Sequence, residues 1–230
     1  MKTIGLLGGM SWESTVTYYT EINQLINQQL GGLHSAKILL ASVDFAEIEE
    51  LQATNNWQKA GAVLGQKAYE LKTAGADFLV ICTNTMHKVA PQIEEVSQLP
   101  LLHIADATIA ELKKQAVKKV LLLGTKYTMT QNFYKERIIA ERIEVIIPEE
   151  SEVEQVNRII FDELCHGEIH ADSKVYFQKL IQAAAEKGAT GVILGCTEIG
   201  LLIQAADVEV KVFDTTKIHS QKAVEWALNK

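Results

Sequence analysis

GADFLVICTNT, residues 75–85, and GATGVILGCTE, residues 188–198, are two copies of one pattern. Laid together, Gly75 falls on Gly188, Ala76 on Ala189 and Thr83 on Cys196. The apolar run in each copy has the length and composition of a fully buried strand. The polar cluster after it then sits at the strand's carboxyl end, where open α/β sheets carry their ligand chemistry. Thr83 and Cys196 thus occupy matching strand ends. Two related halves meeting at a cleft would present them to one small molecule from opposite sides. A proton acceptor on one face and a donor on the other is what inverting a carbon centre requires.

The repeat reaches the opening strand of each half. Residues 2–22, KTIGLLGGMSWESTVTYYTEI, align without gaps on residues 118–138, KKVLLLGTKYTMTQNFYKERI. Lys, Leu-Leu-Gly, Tyr and Ile recur in register, and Tyr18 matches Tyr134. The two offsets, 118 − 2 = 116 and 188 − 75 = 113, differ by a small indel. Between these markers, strands are expected over 36–43, 101–104, 143–147 and 210–213. Helices are expected over 57–74, 107–115, 153–165, 173–187 and from 216 onward, several closing at a glycine. Alternating strands and helices imply parallel sheets with helices on both faces. The expected fold is α/β: two similar Rossmann-like lobes related by a pseudo-two-fold, with the active site in the cleft between them. The late strand and last helix are assigned back to the first lobe, giving 1–98 plus 209–230 for one and 99–208 for the other.

A chain of 230 residues, 47% apolar, can bury real cores. Its formal net charge of −7, with acids and bases mixed, argues against nucleic acid as a partner. Three cysteines stand far apart with no CxxC, which speaks against a zinc or redox pair and for reduced thiols. The first apolar run is too short and glycine-rich for a signal peptide, and none approaches membrane-spanning length. A cytoplasmic protein is expected, without a membrane partner.

Cys196 precedes Thr197-Glu198, where a helix can begin. A thiol near a helix N-terminus gains thiolate character, so an acid/base or nucleophilic role is expected. The plain alternative is a small buried apolar residue. Thr83 is weaker chemically, since a hydroxyl is far less acidic than a thiol of reference pKa about 8.5. Its plain alternative is a helix cap. Cys82 next door is the alternative partner for Cys196; adjacent strand residues point to opposite faces, so if Thr83 faces the cleft Cys82 should not. Asn84, Thr85, Thr197 and Glu198 share the two strand ends and are candidates for holding an α-carboxylate and an ammonium, against local turn bonding. Gly8-Gly9 brings backbone close at Met10 and Ser11, and Gly124-Thr125 with Thr128 is its counterpart; this is no GxGxxG fingerprint. Lys126 is a possible partner for a side-chain carboxylate. His166 and His170 stand four apart but lack a third ligand, so no metal is expected. His87 is read as an orienting or surface residue.

Taken together, GLLGGMSWEST, ICTNTMH, LLHIADAT, LLLGTKYT and GCTEIG resemble the aspartate/glutamate racemase family over essentially the whole chain, nearest its broad bacterial amino-acid racemases. The resemblance implies two α/β lobes, no pyridoxal phosphate or other cofactor, an amino-acid substrate of the aspartate/glutamate type and a homodimer. It implies two cysteines flanking the substrate α-carbon. The second, Cys196-Thr197-Glu198, is intact and would act on the L enantiomer. The first motif, usually Cys-Asn-Thr, reads Thr83-Asn84-Thr85 here. Met10, Gln52 and Thr125 fall where substrate contacts are expected. Two other readings compete: a single-thiol lyase or isomerase of a small diacid, and a two-lobed binding protein without turnover.

Overall fold

A computed structural model of the chain describes residues 1–229. It divides into two compact α/β units: residues 1–104 with 219–230, and residues 105–218. Both divisions fall inside helices.

The first unit runs β1 (Ile4–Gly8), α1 (Trp12–Leu30), β2 (Ile38–Ser42), α2 (Phe45–Ala53), α3 (Trp57–Thr73), β3 (Phe78–Ile81), a 3-10 turn (Thr85–Val89) and α4 (Ala90–Ser97). Helix α5 (Ile104–Lys114) leads into the second unit: β4 (Lys119–Gly124), α6 (Lys126–Thr130), α7 (Asn132–Ala140), β5 (Glu144–Ile146), α8 (Glu150–Asp162), α9 (Ala171–Glu186), β6 (Gly191–Gly195), α10 (Ile199–Leu202) and β7 (Lys211–Asp214). Helix α11 (Thr215–Leu228) returns to the first.

Every strand pairing is parallel, in the order β2-β1-β3 and β5-β4-β6-β7. The registers repeat as the aligned sequences require. Ile4 lies opposite Phe78 and Leu7 opposite Ile81. Their counterparts Val120 and Leu123 lie opposite Gly191 and Leu194. Because a one-residue slip would turn every side chain to the wrong face, a shared register means shared faces. In the first sheet Leu7, Leu79 and Ile81 pack with Leu64, Ala68 and Ile93 of the α3–α4 side. Ile4, Leu6, Phe78, Val80 and Cys82 pack with Tyr18, Ile22 and Val224 of α1 and α11. In the second, Leu121, Leu123, Val192 and Leu194 pack with Val156, Ile160, Phe177 and Ile181 of α8 and α9.

Two expectations are corrected. The late strand does not return to the first sheet: β7 pairs with β6, Val192 opposite Val212. A fully buried strand must satisfy its backbone on both edges, and β7 supplies partners on the side of β6 away from β4. The second unit therefore extends past residue 208, to Ile218. The strand expected over 101–104 shrinks to a single bridge, Leu79 with Leu101. There Leu79 N donates to Pro100 O (2.9 Å) and Leu102 N to Leu79 O (3.0 Å). Since Leu79 corresponds to Val192 (offset 113), Leu101 corresponds to Val212 (212 − 101 = 111). The stub at 100–102 stands in the first unit where the second has β7. Each is followed by the helix that leaves its unit, α5 or α11.

Candidate functional site

The candidate residues lie at the carboxyl ends of β1 and β3 in one unit and of β4 and β6 in the other.

Strand β1 ends in Gly8-Gly9-Met10. A Cβ on Gly8 would come within 2.5 Å of Thr15 Cγ2, and one on Gly9 (φ +90°) within 2.2 Å of Val43 O. Only glycines let the chain turn here and start α1. Ser11 caps that helix, its Oγ accepting from Ser14 N (3.1 Å). Thr15 Oγ1 accepts from Gly9 N and donates to Ser11 O, both at 2.8 Å. Ser14 Oγ donates to Cys82 O (2.7 Å), tying the β1 turn to the end of β3. Met10 is buried in the α3–α4 core. Gln52, buried on α2, donates from Nε2 to Met86 Sδ (3.1 Å).

After β3, Thr83 is partly buried and Asn84, Thr85 and His87 are buried. Cys82 points into the α1–α11 core, as strand alternation requires, and burial pushes its thiol far up. It is packing. His87 Nδ1 lies 2.8 Å from Thr83 O, and Ile104 N donates to His87 Nε2 (3.2 Å). A backbone N–H can only donate, so Nε2 carries the lone pair and Nδ1 the proton. Burial, then the neighbouring His103 and His219, hold His87 well below the usual histidine range. Its ring centroid lies 4.6 Å from that of His103 and 5.7 Å from that of His219. His219 is fixed likewise: Nε2 is 2.9 Å from Leu102 O, so it carries the proton, and Tyr18 Oη donates to Nδ1 (2.8 Å). Burial lowers its pKa to about 4.

In the second unit Thr125 caps α6, with Oγ1 accepting from Thr128 N (3.4 Å). Thr128 is wholly buried, its hydroxyl 3.2 Å from that of Thr125. A Cβ on Gly124 or Gly195 would lie 3.1 or 3.2 Å from the Thr128 methyl. Thr128 therefore braces Thr125 and packs the strand ends. Lys126 is spent on α8: its ammonium pairs with Glu154, and its amide donates to Asn157 Oδ1 (2.8 Å). His166 and His170 are exposed, and His170 bonds Glu168.

Cys196 is partly buried and donates from Sγ to Glu198 Oε2 (2.9 Å). Thr197 is partly buried and Glu198 buried beside it. The expectation of a helix-activated thiolate is not met. Helix α10 is one turn long, starting only at Ile199. Desolvation, the Glu198 carboxylate and the nearby Cys165 together push the Cys196 thiol well above its ordinary value. At rest this is a thiol whose proton is held by a carboxylate. Glu198, expected among the residues that hold substrate, lies two residues past the strand-end cysteine and accepts from its sulfur. The histidine cluster was missed, because His103 and His219 carry no motif and meet His87 only through the fold.

No helix among the described residues is long and apolar enough to cross a membrane. Residues 7–223 match the family described as Asp/Glu/Hydantoin racemase. A Yersinia pestis protein provisionally designated an Asp/Glu racemase is 55% identical, with 99% of this chain and 100% of that one covered and a TM-score of 0.94. An aspartate racemase homologue from Pyrococcus horikoshii OT3 is 37% identical, with the same coverage and a TM-score of 0.87. The broad specificity amino-acid racemase RacX of Bacillus subtilis is 22% identical over 228 residues, 98% of each chain.

Proposed function

Because the chain belongs to the Asp/Glu/hydantoin racemase family, and so to the isomerases, we propose that it racemises amino acids without a cofactor, using Cys196 on the L face and Thr83 on the D face. The observation that carries this is the hydrogen bond from Cys196 Sγ to Glu198 Oε2. Glu198 takes the thiol proton, the thiolate removes the α-proton of the L enantiomer, and a carbanion forms at the α-carbon. The Thr83 hydroxyl delivers a proton to the opposite face while taking one from water, and the hydroxide this leaves is neutralised by the proton that Glu198 returns to solvent, so the site regains its starting charge. In reverse, the Cys196 thiol is the donor and Glu198 resupplies it.

The α-proton is weakly acidic, so the carboxylate must be stabilised as it gains enediolate character. Neutral donors aimed at it do this as an oxyanion hole does. Asn84, Thr85, Thr197 and the backbone N–H groups of the two turns are assigned that task, with Met10, Gln52 and Thr125 lining the substrate. These lining groups are neutral, and Lys126 is paired with Glu154. Among the described residues of these motifs, a second carboxylate therefore has no reserved cation. Neutral amino acids are expected to be accepted alongside aspartate and glutamate, in keeping with the name of the Bacillus subtilis relative.

The test is a panel of L- and D-aspartate, glutamate, asparagine, glutamine, alanine, methionine and lysine in deuterated water. Enantiomers have equal free energy, so overall efficiency is equal in the two directions. Exchange of the α-hydrogen need not be. L substrate should exchange faster than it racemises. Equal exchange from both enantiomers removes the asymmetric assignment, and turnover that survives loss of Cys196 removes the mechanism.

A further inference from the structure

We propose that His87 is the positioning residue for Thr83: its Nδ1–H holds the Thr83 carbonyl, its Nε2 is anchored on the Ile104 amide, and the ring thereby sets the direction in which the Thr83 hydroxyl is presented. This rests on Thr83 being the D-face group.

Both ring nitrogens are committed to backbone, at 2.8 and 3.2 Å, and the ring is buried. One ring therefore joins the turn after β3 to the first residue of α5. Nothing in the acid/base steps uses it. His219 and Tyr18 support the same segment from α11 and α1, through Leu102 O. Segment 102–104 is thus held from two sides, and through it the imidazole that holds Thr83.

The second unit shows that the fold does not require this pin. The offset of 113 that carries Thr83 to Cys196 carries His87 to Gly200 (200 − 87 = 113). The offset of 111 at the 100–102 stub carries His103 to Asp214 and Ile104 to Thr215. Where the first unit stacks His87 on His103, the second has a glycine, with Asp214 Oδ2 2.9 Å from where a Cβ would stand. There the carbonyl matching Thr83 O is Cys196 O, which accepts the turn's own amide, Ile199 N (3.2 Å). The residue matching Ile104, Thr215, turns its hydroxyl to Leu194 O (2.8 Å). The same strand end is thus built with no side chain in the His87 position. The imidazole is placed where the acid/base group is a hydroxyl, which has to be aimed, and is missing where the group is a thiol paired with its own carboxylate.

The experiment uses the panel substrate turned over fastest, with α-hydrogen exchange of each enantiomer followed by proton NMR. The variants are Thr83→Val, His87→Leu, His87→Asn and His87→Gln. Asparagine can place an N–H near the position of Nδ1, and glutamine an acceptor near that of Nε2. A misplacement of about 1 Å costs up to about 100-fold, so His87→Leu should slow D-face exchange at least about 10-fold and leave L-face exchange within about 2-fold. His87→Asn should regain most of the loss and His87→Gln little. Nitrogen-15 shifts of the wild-type ring should show the Nδ1-protonated tautomer.

Equal losses on both faces, no loss, recovery by Gln rather than Asn, or the opposite tautomer each overturn the assignment. If His87→Leu does not fold, Asn against Gln decides alone. If Thr83→Val slows D-face exchange and the His87 variants do not, only the pin fails. If Thr83→Val leaves D-face exchange unchanged, or the wild type is inert toward D-amino acids, the Thr83 reading fails and takes the pin with it.

Discussion

The ends of β3 and β6 are the same piece of chain written twice, with different groups supporting the matching Thr83 and Cys196. At β6 the thiol of Cys196 donates to the carboxylate of Glu198. At β3 Thr83 and Asn84 adjoin the buried His87, which neighbours His219, and both rings are bonded to backbone. One end sets a thiol against a carboxylate, and the other sets a weakly acidic hydroxyl beside a carbonyl held by an imidazole. The lesson is that a duplicated scaffold keeps register and turn geometry while its two copies diverge in how they support the group at the strand end.

The comparison breaks first at Cys196. Cys196→Ser should cut racemisation about 100- to 10,000-fold, the range for a general acid/base group, and Thr83→Val should cost less. Steady-state racemisation of both variants decides it; equal losses would make the two ends chemically equivalent.

The histidine cluster sets the next effect, on stability. His219 has an ordinary pKa of 6.5 and one of about 4 in the fold. The folded state therefore favours the neutral ring, and the unfolded chain binds more protons between these values. This contribution is complete above pH 6.5 and is lost as pH falls towards 4, about 3 kcal/mol in all. His87, lowered by the same burial, acts in the same direction. Urea unfolding at stepped pH should show the loss in that window, and Tyr18→Phe or His219→Gln should change it. A flat profile would mean that the rings are not buried neutral.

Gly200 tests the structural equivalence. Gly200→Ala puts a Cβ 2.9 Å from Asp214 Oδ2, so the carboxylate has to move. The carboxylate end can swing aside, and alanine gains up to about 1 kcal/mol over glycine in a helix, so the net change in urea unfolding should stay within about 1 kcal/mol. A loss above about 2 kcal/mol would show that Asp214 is fixed and that the second unit cannot bear a side chain where the first has His87.

The smallest effect is on thiol titration. The Glu198 carboxylate raises Cys196, so Glu198→Gln should shift the midpoint of iodoacetamide alkylation to lower pH. A midpoint that stays or rises removes Glu198 as the group holding the thiol proton.

Much of the fold is legible in the chain, because buried parallel strands read as apolar runs and their helices as periodic ones. Phe78–Ile81, Ile4–Gly8 and their copies could be placed, and the internal alignment carried the register with them. The capping glycines at 75 and 188 marked strand starts. Helix α2 was not marked, since its nine residues expose most of their surface. The late strand was placed in the wrong unit, because an apolar run of four residues does not say which edge it joins; backbone pairing does. At the site, the strand-end residues were legible from their position after a buried run. The Cys196 thiol, expected low, stands high, because desolvation and then the nearby Glu198 carboxylate raise it and the one-turn α10 offers little dipole.

Local pattern and repetition thus determined the α/β class, the doubled strand ends and the pairing of Thr83 with Cys196, because these depend on neighbours a few residues apart. The protonation state of Cys196, the bracing of Thr83 and the place of β7 were decided only by tertiary structure. Each depends on groups far apart in the chain: Cys165 and Cys196, His87 and Ile104, His219 and Leu102, β6 and β7. Desolvation and hydrogen bonding act through space, and only the folded chain sets those distances.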